Sequence, residues 1–297
     1  MSLVLVCVLT VLVGCVQEIE RPGTPLPPAA PEVPTPSTQD EADYHFSEGK
    51  ELFDQKRLEE AIAEFNKALE LDPQLTLAYY YRGRSYLDLD QYAKAIADFN
   101  TALELDPQIS AAYYYRGRSY LSLDQYSKAI ADFSTALELD PQIGAAYYYR
   151  GRSYHELDQY SEAITDFTKA LELDPQFSLA YYYRGRSYHD LDHYSEAIAD
   201  FTKALELDPG LRTAYYYRGR SYYDLGKYPE AIADFTKALE LDPQLSLAYY
   251  YRGRSYQSLD EYTKAIGDFQ AVMQTSTDET LIELARVQLE ALGAGAQ

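Results

Sequence analysis

The octapeptide YYYRGRSY at residues 79–86 recurs from Tyr113, Tyr147, Tyr181, Tyr215 and Tyr249, each start 34 residues after the last. A fixed period of this size constrains the fold more than any composition does. Each copy is one supersecondary unit that cannot bury its own apolar face, so neighbours must stack into an elongated array rather than wrap one globular core. Pro73, Pro107, Pro141, Pro175, Pro209 and Pro243 keep the same beat. The octapeptides hold 24 of the 32 tyrosines, and Tyr92, Tyr126, Tyr160, Tyr194, Tyr228 and Tyr262 follow the same period. The aromatic content is therefore a multiplied local pattern.

Residues 76–109 serve as the unit. Apolar and small residues recur at helical spacing in two stretches, broken near Asp90 and ended by Asp106-Pro107, so each unit is expected to be a helical hairpin. Asp90, Asp124, Asp158, Asp192 and Asp260 stand at the inner turn where one unit has Gly226. A short polar side chain or glycine tolerates the left-handed conformation that ends a helix. Pro229, just after such a turn, suits a first helical turn, where its missing N–H is not needed.

Tyr79, Gly83, Tyr86, Ala95, Phe99, Ala102 and Pro107 make the unit resemble the tetratricopeptide repeat. The resemblance covers seven units over residues 42–279. It implies an all-α solenoid in which helical hairpins stack into a right-handed superhelix, the first helix of each pair lining a concave groove. The end units depart from the pattern: the first has His45 and Leu52 for tyrosines, and the seventh has Val272 for alanine and Thr277 for proline. Ser276-Thr277-Asp278-Glu279 reads as a capping box for one more amphipathic helix within residues 280–297. Leu281, Ile282, Leu284, Leu289 and Leu292 would cover the last open face.

The first forty residues lie outside the period. Leu3 to Val13 is an uncharged apolar run too short to span a bilayer as a helix, and it reads as an export signal, although no Lys or Arg precedes it. Leu12-Val13-Gly14-Cys15 resembles the lipobox of bacterial lipoproteins. That likeness implies cleavage after residue 14 and a lipidated Cys15, which would anchor the chain to a membrane facing the extracytoplasmic side of the cell envelope. Cys7 would leave with the signal. Residues 15–41 hold seven of the 14 prolines and few large apolar side chains, so they are expected to form an extended linker.

The octapeptide itself divides by helical geometry. Tyr79, Gly83 and Tyr86 share one face, and glycine there permits close approach of a partner helix, so this face is expected to be core. Tyr80 and Arg84 share a neighbouring stripe, which the family resemblance assigns to the groove. The implied ligand ladder is Tyr80 with Arg84, Tyr114 with Arg118, Tyr148 with Arg152, Tyr182 with Arg186, Tyr216 with Arg220, and Tyr250 with Arg254. Tyr81 and its equivalents would share its edge, and His155 and His189 would lie in the groove and tune binding. Arg82 is about 200° around the helix from Arg84, so it cannot face the groove and is assigned a structural role against acidic neighbours.

The formal net charge of −21 argues against nucleic acid, whose phosphates reward a basic surface. Cofactor chemistry finds no support: there is no glycine-rich phosphate loop, no thiol nucleophile, and no histidine beside the repeated serine in most units. His189 and His193 are four residues apart, but His193 sits at a helix end and the nearby acids recur in units without histidine, which argues against a metal site. The chain is thus expected to be a non-enzymatic, membrane-tethered scaffold that binds an extended, anionic protein or peptide segment. Tyrosine and arginine are favoured anchors for such contacts. A glycan-binding or polysaccharide-export accessory role is the alternative, with tyrosines stacking on sugar rings.

Overall fold

The computed structural model describes residues 37–294; the signal, Cys15 and most of the linker lie outside them. Seven helical pairs follow one another: α1 (Thr38–Asp54) with α2 (Leu58–Leu71), α3 (Thr76–Asp88) with α4 (Tyr92–Leu105), α5 (Ser110–Leu121) with α6 (Tyr126–Leu139), and α7 (Gly144–His155) with α8 (Tyr160–Leu173). Then come α9 (Ser178–Asp190) with α10 (Tyr194–Leu207), α11 (Arg212–Asp224) with α12 (Tyr228–Leu241), and α13 (Ser246–Ser258) with α14 (Tyr262–Thr275). A single helix, α15 (Glu279–Ala291), follows the last pair. Among the described residues there is no strand. Helix α1 begins at Thr38, inside the segment whose composition marks it as linker.

The inner turns explain the repeated aspartate. Asp90 has φ 57°, and Asp124, Asp158, Asp192 and Asp260 match it, while Gly226 takes φ 71°. In this left-handed position the next N–H, that of Gln91, donates to the Tyr86 carbonyl at 2.8 Å and closes the helix end. The Asp90 carboxylate then accepts the Tyr92 hydroxyl at 2.6 Å, which ties the turn to the start of α4. Glycine at 226 keeps the backbone geometry and gives up the side-chain bond. Pro229 occupies the first turn of α12.

Phenylalanine forms the centre of every pair. Phe65, Phe99, Phe133, Phe167, Phe201, Phe235 and Phe269 are wholly buried. Gly83 lets α3 lie against α4 so closely that a Cβ there would stand 2.9 Å from Phe99 Cε1. Every ring but Phe269 also meets the following pair: Phe99 stacks on Tyr115 with centroids 6.3 Å apart.

Each odd-numbered helix from α1 to α11 packs on its partner and on the next odd-numbered helix, whereas no two successive even-numbered helices make comparable contact. Odd helices therefore form the tighter inner ring of the solenoid and even helices splay outside it. The concave face belongs to α1, α3, α5, α7, α9, α11 and α13.

At the far end α15 buries Leu281, Ala285 and Leu289 against the last pair. Leu284, expected to share in this cover, is 45% exposed because it lies about 100° around the helix from the buried stripe. The cap also begins two residues later than the capping-box reading places it. Asp278 is the N-cap, its carboxylate accepting the N–H groups of Thr280 and Leu281, and Ser276 instead accepts the Asp278 N–H.

Candidate ligand groove

The two arginines of each octapeptide have different surroundings. Arg82 makes a bidentate ion pair with Asp98, its Nε and Nη2 donating at 2.8 and 2.7 Å, and its Nη1 donates to Asn66 Oδ1 at 2.6 Å. Asp98 lies on α4 and Asn66 on α2, so one side chain from α3 joins its own pair to the preceding pair. Arg116, Arg150, Arg184, Arg218 and Arg252 repeat this with Asp132, Asp166, Asp200, Asp234 and Asp268. The preceding pair supplies Asn100, Ser134, Thr168, Thr202 and Thr236. The structural role assigned to Arg82 and its equivalents is thus what the contacts show. Burial pushes the Asp98 carboxyl up from its ordinary range against the pull of Arg82. The first pair has no arginine at this register; there His45 Nδ1 lies 2.6 Å from Glu64.

The tyrosines depart from the expected arrangement. Tyr80, Tyr148, Tyr182, Tyr216 and Tyr250 are buried, each at most 9% exposed, and Tyr114 is half-buried. They do not present their ring faces to an open groove. Tyr80 instead fills the gap between successive odd helices, 5.1 Å from Tyr81 and 6.0 Å edge-on to Tyr115 of the next pair. Tyr79 and Tyr86, expected to be core, are only half-buried, with Arg82 over one ring and Lys94 over the other. The reason is that an odd helix has neighbours on three sides, so burial follows inter-pair stacking as well as the face turned to its own partner. Burial pushes the phenols of Tyr80, Tyr114, Tyr182 and Tyr216 up to about 12.

Arg84 and its equivalents lie half-buried on the concave side, and the side chain beneath each is a tyrosine of the following pair. The guanidinium of Arg84 stands 4.6 Å from the Tyr115 centroid, Arg118 5.2 Å from Tyr149, Arg152 5.0 Å from Tyr183, Arg186 5.0 Å from Tyr217, and Arg220 3.8 Å from Tyr251. Arg254 has no later pair to rest on and donates to its own Tyr250 hydroxyl at 3.2 Å. The cation–ring platform is therefore the third tyrosine of the next octapeptide, a contact between units that helical spacing within one unit does not reveal. Its worth is on the order of 0.5 to 2 kcal/mol per pair. The Nε atoms of Arg152, Arg186 and Arg220 are shielded from solvent and have no partner in the protein.

A cleft of about 460 Å³ opens on this row, lined by Arg118, Leu121, Ser122, Asp124, Tyr126, Tyr149, Arg152 and Glu156. His155 and His189 lie elsewhere than the sequence suggests. His155 is buried between α7 and α9; since Ser187 Oγ donates to the Tyr183 carbonyl, it receives the Nδ1–H of His155 across 3.0 Å. His189 and Ser221 repeat the contact at 3.1 Å. Burial lowers both imidazoles to about 4, so they are neutral joints between pairs rather than exposed groove groups. No group of three or more metal-ligating side chains occurs among the described residues.

Tetratricopeptide-repeat family models match residues 49–90, 80–142, 144–177, 178–211, 213–245 and 235–267. The chain belongs to the tetratricopeptide-repeat family. Among solved structures, this tetratricopeptide-repeat chain is similar to YrrB, described as a TPR protein with an unusual peptide-binding site, at 27% identity and TM-score 0.56 over 62% of this chain and 95% of that one. It also matches the C-terminal part of a TPR repeat-containing protein from Cytophaga hutchinsonii at 23% identity and TM-score 0.65, covering 80% of this chain and 98% of that one. A tetratricopeptide repeat protein from Parabacteroides merdae matches at 22% identity and TM-score 0.60, over 84% and 99% of the two chains. The last two likenesses concern the fold. No curated protein matches.

Proposed function

We propose that the array is a protein-binding scaffold that receives an extended segment on its concave face, held at the bacterial cell envelope by a lipidated Cys15. The observation that carries this reading is the row of half-buried arginines resting on tyrosines of the following pair. The protein satisfies its Arg82 row fully and leaves donors of the Arg84 row without acceptors. The guanidiniums of Arg118, Arg152 and Arg186 lie half-buried on tyrosine rings with no ion pair among the described residues, so their outer N–H groups can donate to carbonyl or carboxylate oxygens of an incoming chain. The likeness to a protein with a peptide-binding site supports the same reading.

Membrane attachment in this proposal rests on Leu12-Val13-Gly14-Cys15; among the described residues no helix is long and apolar enough to cross a bilayer. Two experiments test the two halves. The immobilised protein should retain defined segments from a proteolysed envelope extract, and Arg152→Ala with Arg186→Ala should release them; equal retention by that variant overturns the groove. Cys15→Ser should move the protein from membrane to soluble fraction, and intact mass showing an unmodified chain that starts at Met1 overturns the anchor.

A further inference from the structure

The residue that follows each octapeptide changes along the chain: Leu87, Leu121, His155, His189, Tyr223 and Gln257. Leu87 is buried in an apolar cluster with Ala112 of the next odd helix. The two histidines stand at the two boundaries of one pair, α9–α10. His155 bonds Ser187 and so joins α7 to α9, and His189 bonds Ser221 and so joins α9 to α11. Among the described residues this is the one pair held on both sides through histidine.

Both imidazoles are placed where a further positive charge is poorly received. His155 has Arg152 on its own helix and Arg186 on α9, with Asp158 of the inner turn and Asp190 of α9 as counter-charges. Asp190 Oδ2 lies 3.8 Å from its Nε2. The rings of Tyr160 on α8 and Tyr183 on α9 stand edge-on to it at 5.3 and 6.3 Å. His189 is set in the same way among Arg186, Arg220 of α11, Asp192 of its turn, Tyr194 of α10 and Tyr217 of α11. Asp224, the counterpart of Asp190, lies 3.7 Å from Arg220. Asp158 and Asp192 also accept the hydroxyls of Tyr160 and Tyr194. A neutral ring completes each joint with one hydrogen bond to serine, whereas an imidazolium adds a cation between two arginines in a largely desolvated contact.

We propose that the α9–α10 pair is an acid-operated hinge: protonation of His155 and His189 loosens the joints on both sides of it while the rest of the array stays stacked. In a solenoid the coupling between neighbours is separate from the folding of each pair, so weakening two adjacent joints opens the array at one place. The seam ion pairs cannot localise the response, because they recur at every boundary from Arg82 to Arg252. Burial holds both imidazoles at about 4, and in an opened joint they return toward 6.5, so the open form takes up protons as pH falls between those values. The hinge belongs to the array itself and does not depend on what the concave face binds.

The test is hydrogen exchange of the folded protein at pH 7 and pH 5, read peptide by peptide and corrected for the intrinsic pH dependence of exchange. At pH 5 the joint-facing peptides of α7, α9 and α11 should open about tenfold more often than at pH 7, while those of α3 keep their protection. His155→Leu with His189→Leu places the residue of Leu87 and Leu121 at both joints and should abolish the difference. His155→Leu alone should confine it to the α9–α11 joint. Leu121→His should create a new acid-sensitive joint between α5 and α7, where Ser153 stands in the place of Ser187. Each variant is compared with itself at the two pH values, so a general loss of stability does not mimic the result. Equal loss of protection in all pairs, an unchanged ratio in α7, α9 and α11, a difference that survives the double leucine replacement, or no new joint in Leu121→His overturns the proposal.

Discussion

The arginines at the second and fourth places of Tyr-Arg-Gly-Arg-Ser, two residues apart in every unit, define two regions with opposite energetic character. Along the seam, Arg150 is held by Asp166 and Ser134, so every strong donor direction has a partner. Along the groove, Arg152 rests on Tyr183 and has no carboxylate counter-ion among the described residues. A charge satisfied within the fold serves stability. A charge held in place but short of acceptors is prepared for something outside the fold.

The largest effect should come from breaking the seam on one side. Asp166→Ala leaves Arg150 half-buried and short of its counter-ion, and chemical denaturation should show a loss of about 3 to 5 kcal/mol. Replacing both partners, Arg150→Met with Asp166→Leu, should recover most of that loss; if it does not, the seam does more than neutralise itself. Next in size is Gly151→Ala, in the residue between the two arginines. Its Cβ would stand 2.9 Å from Phe167 Cε1, and overpacking of this kind costs about 1 to 3 kcal/mol.

The buried joints between pairs should respond to pH. His155 and His189 fall to about 4 in the folded chain from an ordinary 6.5, so the unfolded chain binds more protons between those values. Their contribution is complete above about pH 6.5 and is lost as pH falls toward 4. Asp190, Arg186, Arg152 and Asp158 surround His155, and their charges contribute to the same titration. Allowing for solvent screening, the pair should cost about 1 to 2 kcal/mol on going from pH 7 to 5. His155→Leu with His189→Leu uses the residue found at Leu87 and Leu121, and it should flatten the melting temperature against pH relative to wild type. The smallest stability effect belongs to Arg152→Ala, below about 1 kcal/mol, although the same change should weaken ligand binding and lower its salt dependence. A seam-sized stability loss from Arg152→Ala would erase the distinction between the two rows.

The period made the pairs, their turns and the buried phenylalanines legible from the residues, because each is settled within 34 positions: Asp90 needs only its own turn, and Phe99 only Gly83. The seam was legible too, since Arg82 had to point away from Arg84. The direction of the tyrosines was not. Three in a row cover most of a helix surface, and whether Tyr80 or Tyr79 is buried depends on how the next pair leans over it. The same limit hid Tyr149 as the platform for Arg118, and with it the cleft that the two residues line.

The seam has a consequence for how such an array changes length. Each seam arginine finds its acid sixteen residues ahead and its hydrogen-bond acceptor sixteen residues behind, and that acceptor is asparagine, serine or threonine in different units. Any of the units that carry the seam arginine can therefore follow another without a new junction having to be invented. Loss or gain of 34 codons by recombination between the near-identical copies joins compatible halves, so the gene can lengthen or shorten the protein by whole helical pairs while every join remains chemically complete.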